Sequence, residues 1–340
     1  MPRGRYAPSP TGWQHLGNAR TALVAWIRAR AGGGFVLRVE DLDRPRTVPE
    51  AVHGNLEELR WLGLDWDEGP DVGGPHAPYL QSRREAGYEA ALATLAAAGR
   101  TFDCYLSRKD LRELSSAPHG AGPVYGPRER AANARWADRK RAEGKEPAVR
   151  LRMPDGSVRV DDALRGPRDV DLRAEVGDLV LRRADGAWAY QLAVVVDDAA
   201  MGVEEVVRGD DLRVAAAGQM ALHRLLGSSP PAHLHLPLLH GADGARLAKR
   251  RGEGTLRALR DAGVPAARVV GLLAWTLGQL PRPSPLEAAE LAGRFDLARV
   301  PRHPVALPEA AWAWLHGRAE APDGPPRAPG QAEGPSVDSR

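Results

Sequence analysis

Two short stretches carry residues suited to phosphate chemistry. The first is RYAPSPTGWQHLGNAR (residues 5–20), where Pro8, Pro10 and Gly12 stiffen and turn the backbone just before His15, Leu16, Gly17 and Asn18. The apolar spacing that follows predicts a helix, so these residues fall at a helix N-terminus, where free N–H groups and the helix dipole favour an anion. His15 offers a donor to a phosphate oxygen, and Gly17 lets a phosphate or a base approach the main chain closely. A loop histidine capping a local group is the competing reading. Neither G-x-x-x-x-G-K-[ST] nor G-x-G-x-x-G occurs, which argues against P-loop and dinucleotide sites.

The second stretch is GARLAKRRG (residues 244–252). Lysine occurs only at Lys109, Lys140, Lys145 and Lys249, and only Lys249 lies outside a polar, surface-like run. A basic loop between glycines suits a reaction that develops charge on phosphorus and then releases pyrophosphate. Alone, Lys249 reads more readily as part of a solvated basic turn; paired with the first stretch it is far more specific.

The elements that position these stretches alternate in type. GRYAPS reads as a strand, GNARTALVAWIRARAGGG as a helix stopped by glycines 32–34, and FVLRVED (35–41) as a buried strand: a parallel βαβ unit. Thr47 with Glu50, and Ser82 with Glu85, form capping-box patterns ahead of two further helices, and TFDCYL reads as another strand. Residues 1–106 are thus expected to form the first half of an α/β, doubly wound parallel-sheet domain. Residues 107–176 read as an α+β insertion, with a Pro/Gly loop, a charged helix, and short strands in AVRLRM and SVRVDD. Residues 177–240 form the second half, with strand signals over 178–198 around an Asp185-Gly186 hairpin turn, then a helix and the strand HLHLPLL. Residues 241–318 hold the lysine loop and a mostly helical region. Residues 319–340, rich in Pro and Gly, are expected to be disordered.

The whole-chain figures fit this picture. With 340 residues, 43% hydrophobic and 27% charged, the chain is an ordinary globular protein, and a net charge of +3 excludes a diffuse polycation. RERAANARWADRKRAEGK (128–145) is locally basic, either a phosphate-facing surface or a solvated helix face. The single cysteine, Cys104, excludes an intramolecular disulfide and suits a reducing cytoplasm. No signal peptide, membrane span or apolar surface patch is read, so a cytoplasmic monomer without a membrane partner is expected.

H-x-G-N after P-S-P-T-G, with R-L-A-K-R some two hundred residues later, resembles the two signature motifs of class I aminoacyl-tRNA synthetases. More narrowly, RYAPSPTGWQHLGNARTAL, LRVEDLDRPR, LRWLGLDWDEGP, AYQLAVVVDD and EEVVRGDDL resemble the glutamyl-tRNA synthetase family, collinearly over residues 3–280. The resemblance implies a Rossmann-type catalytic domain that uses ATP with Mg2+. It implies catalytic roles for His15, Gly17, Asn18 and Lys249, with His15, Gly17, Lys249 and Arg250 holding ATP. It also implies a glutamate pocket of Arg5, Ala7, Ser9, Glu40, Tyr190 and Arg208. That set suits the ligand, because two carboxylates call for guanidinium forks and an ammonium calls for an anion. The bland alternatives are a surface ion pair of Arg208 with Asp210 or Asp211, and Glu40 as merely one acid of EDLD.

Three departures from the family pattern bear on function. Arg246 and Ala248 replace the first lysine and the serine of the lysine signature. In the zinc motif of close relatives, Leu106 and Glu129 stand at cysteine positions, leaving Cys104 and His119, too few for a structural site, so no zinc is expected. Only about ninety residues follow the lysine loop, too few for a helical anticodon-binding domain. The chain therefore resembles the truncated branch of the family, which transfers glutamate to queuosine in the anticodon of tRNA-Asp; Val194, where full-length members commonly carry asparagine, agrees. The alternatives are a truncated enzyme charging the 3′ end of tRNA-Glu, and an inactive synthetase-like RNA-binding module.

Overall fold

A computed structural model describes residues 2–30, 32–114, 124–244 and 254–330. Arg246, Ala248, Lys249, Arg250 and His119 lie outside the described residues.

Strand β1 (Gly4–Tyr6), helix α1 (Leu16–Arg30) and strand β2 (Phe35–Leu37) form the expected parallel unit, with Gly4 opposite Phe35 and Tyr6 opposite Leu37. The glycines after α1 serve a close approach: a Cβ on Gly33 would lie 2.1 Å from the Pro2 carbonyl oxygen. Helices α2 (Pro49–Trp61) and α3 (Glu85–Ala97) follow, but neither capping box forms. Pro49 fixes the first turn of α2 behind Val48, and the Thr47 hydroxyl donates instead to Asp43 O at 3.1 Å. Ser82 gives its N–H and its hydroxyl to the Asp41 carboxylate, at 2.8 and 2.6 Å, and is thereby turned away from the free N–H groups at the start of α3.

Next come β3 (Thr101–Cys104), α4 (Arg108–Leu114), α5 (Pro127–Ala142), β4 (Ala148–Leu151), β5 (Ser157–Asp162), β6 (Gly166–Asp171) and β7 (Val180–Arg182). Sheet membership cuts across the expected boundaries at 107 and 176. β3 pairs antiparallel with β4, and β4 with β7, in a small sheet of their own, so β3 is not part of the catalytic sheet. The β5–β6 hairpin, expected inside the insertion, joins the main sheet instead, with Asp162 opposite His233.

The strand signal over 178–198 is half right. β7 and the Asp185-Gly186 turn form, with Gly186 at φ +82°, but from Tyr190 the chain is helix α6 (Tyr190–Ala200). Leu192, Ala193, Val194 and Val195 are all buried, and a short apolar run reads the same in a buried helix as in a buried strand. The remaining elements are β8 (Glu205–Gly209), α7 (Arg213–Leu225), β9 (Ala232–Leu236), β10 (Leu239–Gly241), α8 (Leu256–Asp261), α9 (Ala266–Thr276), α10 (Ala288–Ala292), β11 (Val305–Leu307) and α11 (Glu309–Leu315).

The main sheet runs β2-β1-β8-β9-β5-β6, parallel except for β6, with helices on both faces. Phe35, Leu37, Val207, Leu234 and Leu236 pack toward α1 and α9. The alternate residues Val36 and Val206 face the other way, and Arg5, opposite Val36, shares that side. No helix among the described residues is long and apolar enough to cross a membrane. Part of the tail expected to be disordered is packed: Trp275 Nε1 donates to Gly324 O at 2.8 Å, and Arg327 O accepts from Ala306 N at 2.9 Å. Pro326 is buried, while residues 331–340 lie outside the described residues.

Helix α2 carries Gly54 in its middle, where alanine would favour the helix by about 1 kcal/mol. A Cβ there would lie 2.0 Å from the Trp13 ring, which also carries the Arg257 guanidinium 4.2 Å from its centroid. Gly54→Ala should therefore destabilise the protein in urea titrations, by about 1–3 kcal/mol, because overpacking outweighs propensity.

Candidate active site

A cleft of about 590 Å³ opens at the carboxyl ends of β1 and β8, where the sheet order reverses. This is the place where open parallel sheets receive ligands. It is lined by Arg5, Ala7, Ser9, His15, Gly17, Asn18, Glu40, Tyr190 and Arg208, so every described residue predicted for the site meets there. Lys249 and Arg250 are the predicted site residues outside the described set.

At one end the main chain does most of the positioning. Gly17 N–H donates to His15 Nδ1 at 3.0 Å, and burial lowers the imidazole's pKa, so the neutral ring carries its proton on Nε2. That N–H is the donor available to a ligand. Gly17 has a further role that the sequence did not suggest: a Cβ there would lie 2.9 Å from the His15 ring, so the glycine makes room for the imidazole. Asn18 Oδ1 accepts from His15 N at 3.4 Å. Gln14 O accepts from Leu256 N at 2.7 Å, Gly254 O accepts from Leu16 N at 3.3 Å, and His15 bridges Thr255. The described segment that follows the lysine stretch is thereby stitched beside His15.

Two residues missed in the sequence support this turn. Gln14 accepts from the Tyr6 hydroxyl at 2.8 Å and donates to Asn55 O at 3.2 Å. Glu58 accepts from Gln14 N at 3.3 Å, and burial pushes its carboxyl up to about 7.

Charge positions the other end. Arg38 is fully buried on the far side of β2; it donates to Asp198 at 2.8 Å and to Glu40 at 3.2 Å, and its Nε lies 3.7 Å from Asp197. Burial works against the charge on Arg38, but Asp198, Asp197 and Glu40 outweigh it and raise its pKa. Asp197 also accepts from Arg84 at 2.6 Å and from Gln81 and Tyr88 at 2.8 Å each. Arg5 donates to Asp198 at 3.3 Å. Burial alone would raise Asp198, yet Arg5 and Arg38 hold it below the usual carboxylate range. Glu40 is pushed up by burial against the pull of Arg38 and Arg5, and it sits 9% exposed at the cleft wall.

Arg208 is 6% exposed and is no surface ion pair. It donates to neutral acceptors: His235 Nε2 at 3.0 Å, Gln219 Oε1 at 2.7 Å and Leu212 O at 3.3 Å. Asp210 is held by Arg165 instead. Burial lowers the pKa of Arg208, the mark of a cation short of counter-charge. Two buried guanidiniums and a carboxylate thus face one cavity, an arrangement complementary to a small molecule with carboxylates and an ammonium.

A second cavity of about 700 Å³ shares Ser9, Thr11, Glu40 and Tyr190 with the first and continues past Asp43, Arg46 and Trp188. Beyond it, Cys104 is buried and donates to the Tyr125 hydroxyl at 3.5 Å. No metal-ligating cluster of three or more His, Cys, Asp or Glu residues occurs among the described residues.

The missed residues did leave a signal. Arg38 is a charge inside the apolar strand FVLRVED, and Asp197-Asp198 closes the apolar run VVVDD. Charges in such places imply buried partners. Arg38→Met should cost about 3–5 kcal/mol in chemical denaturation, because it leaves three carboxylates of the cluster without their shared cation. The Glu58 carboxyl, raised from 4.5 to about 7, makes the native state bind more protons than the unfolded chain across that window. Its contribution to stability is present at the acid end and lost as pH rises toward 7. Glu58→Gln should flatten that slope in melting curves recorded from pH 4.5 to 7.5.

Residues 2–282 match the family of class I tRNA synthetases (E and Q), catalytic domain. The glutamyl-Q tRNA(Asp) synthetase of Symbiobacterium thermophilum is 51% identical over 318 residues, covering 92% of this chain and 98% of the relative. The Nitratidesulfovibrio vulgaris protein of the same name is 50% identical, covering 91% of this chain and 96% of its own. The crystal structure of glutamate-tRNA synthetase from Elizabethkingia anophelis matches with a TM-score of 0.80 at 28% identity, over 93% of this chain and 70% of that one. A Rossmann-type sheet, a cleft at its switch point and a family match across residues 2–282 agree: the chain belongs to the class I tRNA synthetases of the E and Q group.

Proposed function

We propose that the chain activates L-glutamate with ATP and transfers the glutamyl group to queuosine in the anticodon of tRNA-Asp. The observation that carries this reading is the amino-acid end of the cleft, where Arg5, Arg208 and Glu40 converge in the cavity that also holds His15. Relatives named glutamyl-Q tRNA(Asp) synthetase, alike over nearly their whole length, support the choice of acceptor.

In this reading Arg208 and Arg5 bind the carboxylates of glutamate, Glu40 takes the ammonium, and Tyr190, Ser9 and the main chain at Ala7 complete the pocket. A carboxylate oxygen attacks the α-phosphorus of ATP in line, and the bond to the pyrophosphate oxygen breaks, giving glutamyl-adenylate and pyrophosphate. His15 Nε2–H, with Gly17 and Asn18 at the start of α1, stabilises charge on the phosphates. Lys249 and Arg250 serve the leaving pyrophosphate, and Mg2+ enters as the counter-ion of ATP. In the second step a hydroxyl of the queuosine cyclopentene-diol attacks the activated carbonyl, an ester forms, AMP leaves, and the hydroxyl proton passes to solvent. The second cavity supports an approach for the acceptor from the side opposite the nucleotide.

The packing of Cys104 against Tyr125 supports an insertion held without zinc. Among the described residues the large exposed apolar side chains are only the scattered Val72, Val124 and Val214, which supports a monomer. Dependence on ATP and tRNA supports a cytoplasmic location.

Labelled glutamate should be offered, with ATP, to tRNA from queuosine-producing cells and to tRNA from cells unable to make it. Label confined to the first pool is the expected result. Equal labelling of both pools would assign transfer to the 3′ end of tRNA-Glu, and no labelling of either would leave an RNA-binding module.

A further inference from the structure

Arg208 differs from the other guanidiniums of the site in how it is held. Arg5 and Arg38 touch carboxylates directly, whereas an imidazole stands between Arg208 and the nearest aspartate along that line. Sheet register creates the arrangement. In the parallel β8–β9 pair Arg208 lies directly opposite His235, and the end of β5 brings Asp162 opposite His233, two residues before His235. His235 is fully buried; its Nδ1 lies 2.6 Å from Asp162 Oδ2 and its Nε2 lies 3.0 Å from Arg208 Nε.

These distances fix the protons. Arginine Nε always carries hydrogen, so His235 Nε2 must accept, and the ring's single proton sits on Nδ1 and is donated to Asp162. A charged imidazole would point an N–H at an N–H. Burial and the nearby Arg208 lower the His235 pKa, although Asp162 pulls the other way. Asp162 itself is immobilised, accepting also from the main-chain N–H groups of His235, Leu164 and Arg165 at 3.0, 3.0 and 2.7 Å.

We propose that Asp162 and His235 are positioning residues for substrate recognition: the neutral imidazole orients the Arg208 guanidinium while keeping a direct carboxylate partner off its Nε, so that its charge stays available to the amino-acid carboxylate. This inference rests on the reading of Arg208 as a glutamate ligand. Gln219 and Leu212 O complete the hold on the guanidinium plane, and Gln219 is oriented in turn by donating to Gln191 at 2.8 Å. These three bonds engage Nε and one N–H on each Nη, and the Tyr190 hydroxyl at the cleft wall also interacts with the guanidinium.

Glutamate-dependent ATP–pyrophosphate exchange tests the proposal with His235→Asn, His235→Gln and Arg208→Ala. Asparagine reaches the Nδ1 position and keeps the Asp162 bond only, while glutamine reaches the Nε2 position and keeps an acceptor for Arg208. The expected result for His235→Asn is a KM for glutamate raised about 10- to 100-fold, with kcat and the KM for ATP within about 3-fold of wild type. His235→Gln should recover most of that loss. An unchanged glutamate KM in His235→Asn, or a glutamine variant as impaired as the asparagine one, overturns the proposal. An unchanged glutamate KM in Arg208→Ala overturns the amino-acid site reading beneath it instead. Should the histidine variants not fold, nitrogen-15 NMR of the wild-type protein decides between pH 6 and 8. His235 must appear as the neutral Nδ1–H tautomer, with its Nε2 resonance moving on addition of glutamate; an Nε2–H tautomer or a charged ring refutes the proposal.

Discussion

The buried cluster around Arg38 is the interaction on which the site depends. One fully buried guanidinium draws together Glu40 from its own strand's end and Asp197 and Asp198 from α6. Desolvating so many charges is costly; Asp197 and Asp198 are each answered by more than one donor, while Glu40 is held by Arg38 with Arg5 nearby. Asp197 is shared with Arg84, Gln81 and Tyr88, so α3 and its approach are tied to the same point. The polar cluster thus fixes the position of α6, which otherwise packs by apolar contacts that specify location less sharply. With α6 fixed, Tyr190 at its first turn, Arg5 on β1 and Glu40 face one cavity.

The two ends of the cleft are built on different principles. The end around His15 is a main-chain device, in which residues 14–16 and 254–256 exchange backbone hydrogen bonds and Gly17 makes space for an imidazole. The end around Arg208 and Glu40 is a side-chain device, in which charges are placed by other charges. The division suits the two ligands proposed for the cleft. A polyphosphate is strongly charged and easily recognised by N–H groups, whereas a small zwitterion must be distinguished by the positions of its individual charges.

Much of this was legible in the sequence, and the exceptions share a cause. The βαβ start could be read because α1 has helical spacing and the glycines at 32–34 end it. Helix α6 could not, because Val194, Val195 and Val196 carry no periodicity that separates helix from strand. The capping boxes failed where a nearby carboxylate or a proline intervened, as at Asp41 and Pro49. The cleft-lining residues were accessible through their chemistry and the family likeness. Arg38, Asp198, His235 and Asp162 were not, because each acquires meaning only through a partner brought close by sheet register, 160 residues apart for Arg38 and Asp198 and 73 for His235 and Asp162. A sequence shows an unusual residue, such as two histidines alternating in HLHLPLL, without showing what it will face.

The β5–β6 hairpin lies in sequence inside the segment that separates the two halves of the catalytic fold, yet it completes the catalytic sheet. The segment is therefore not a detachable cassette. Excising it would unpair the sheet at β9, expose the edge of that strand and carry away Asp162 with it. A cut that respects this architecture would leave the hairpin with its host. In this fold the units of inheritance that can be traded are drawn by hydrogen-bonded edges, and they do not follow the order of residues along the chain.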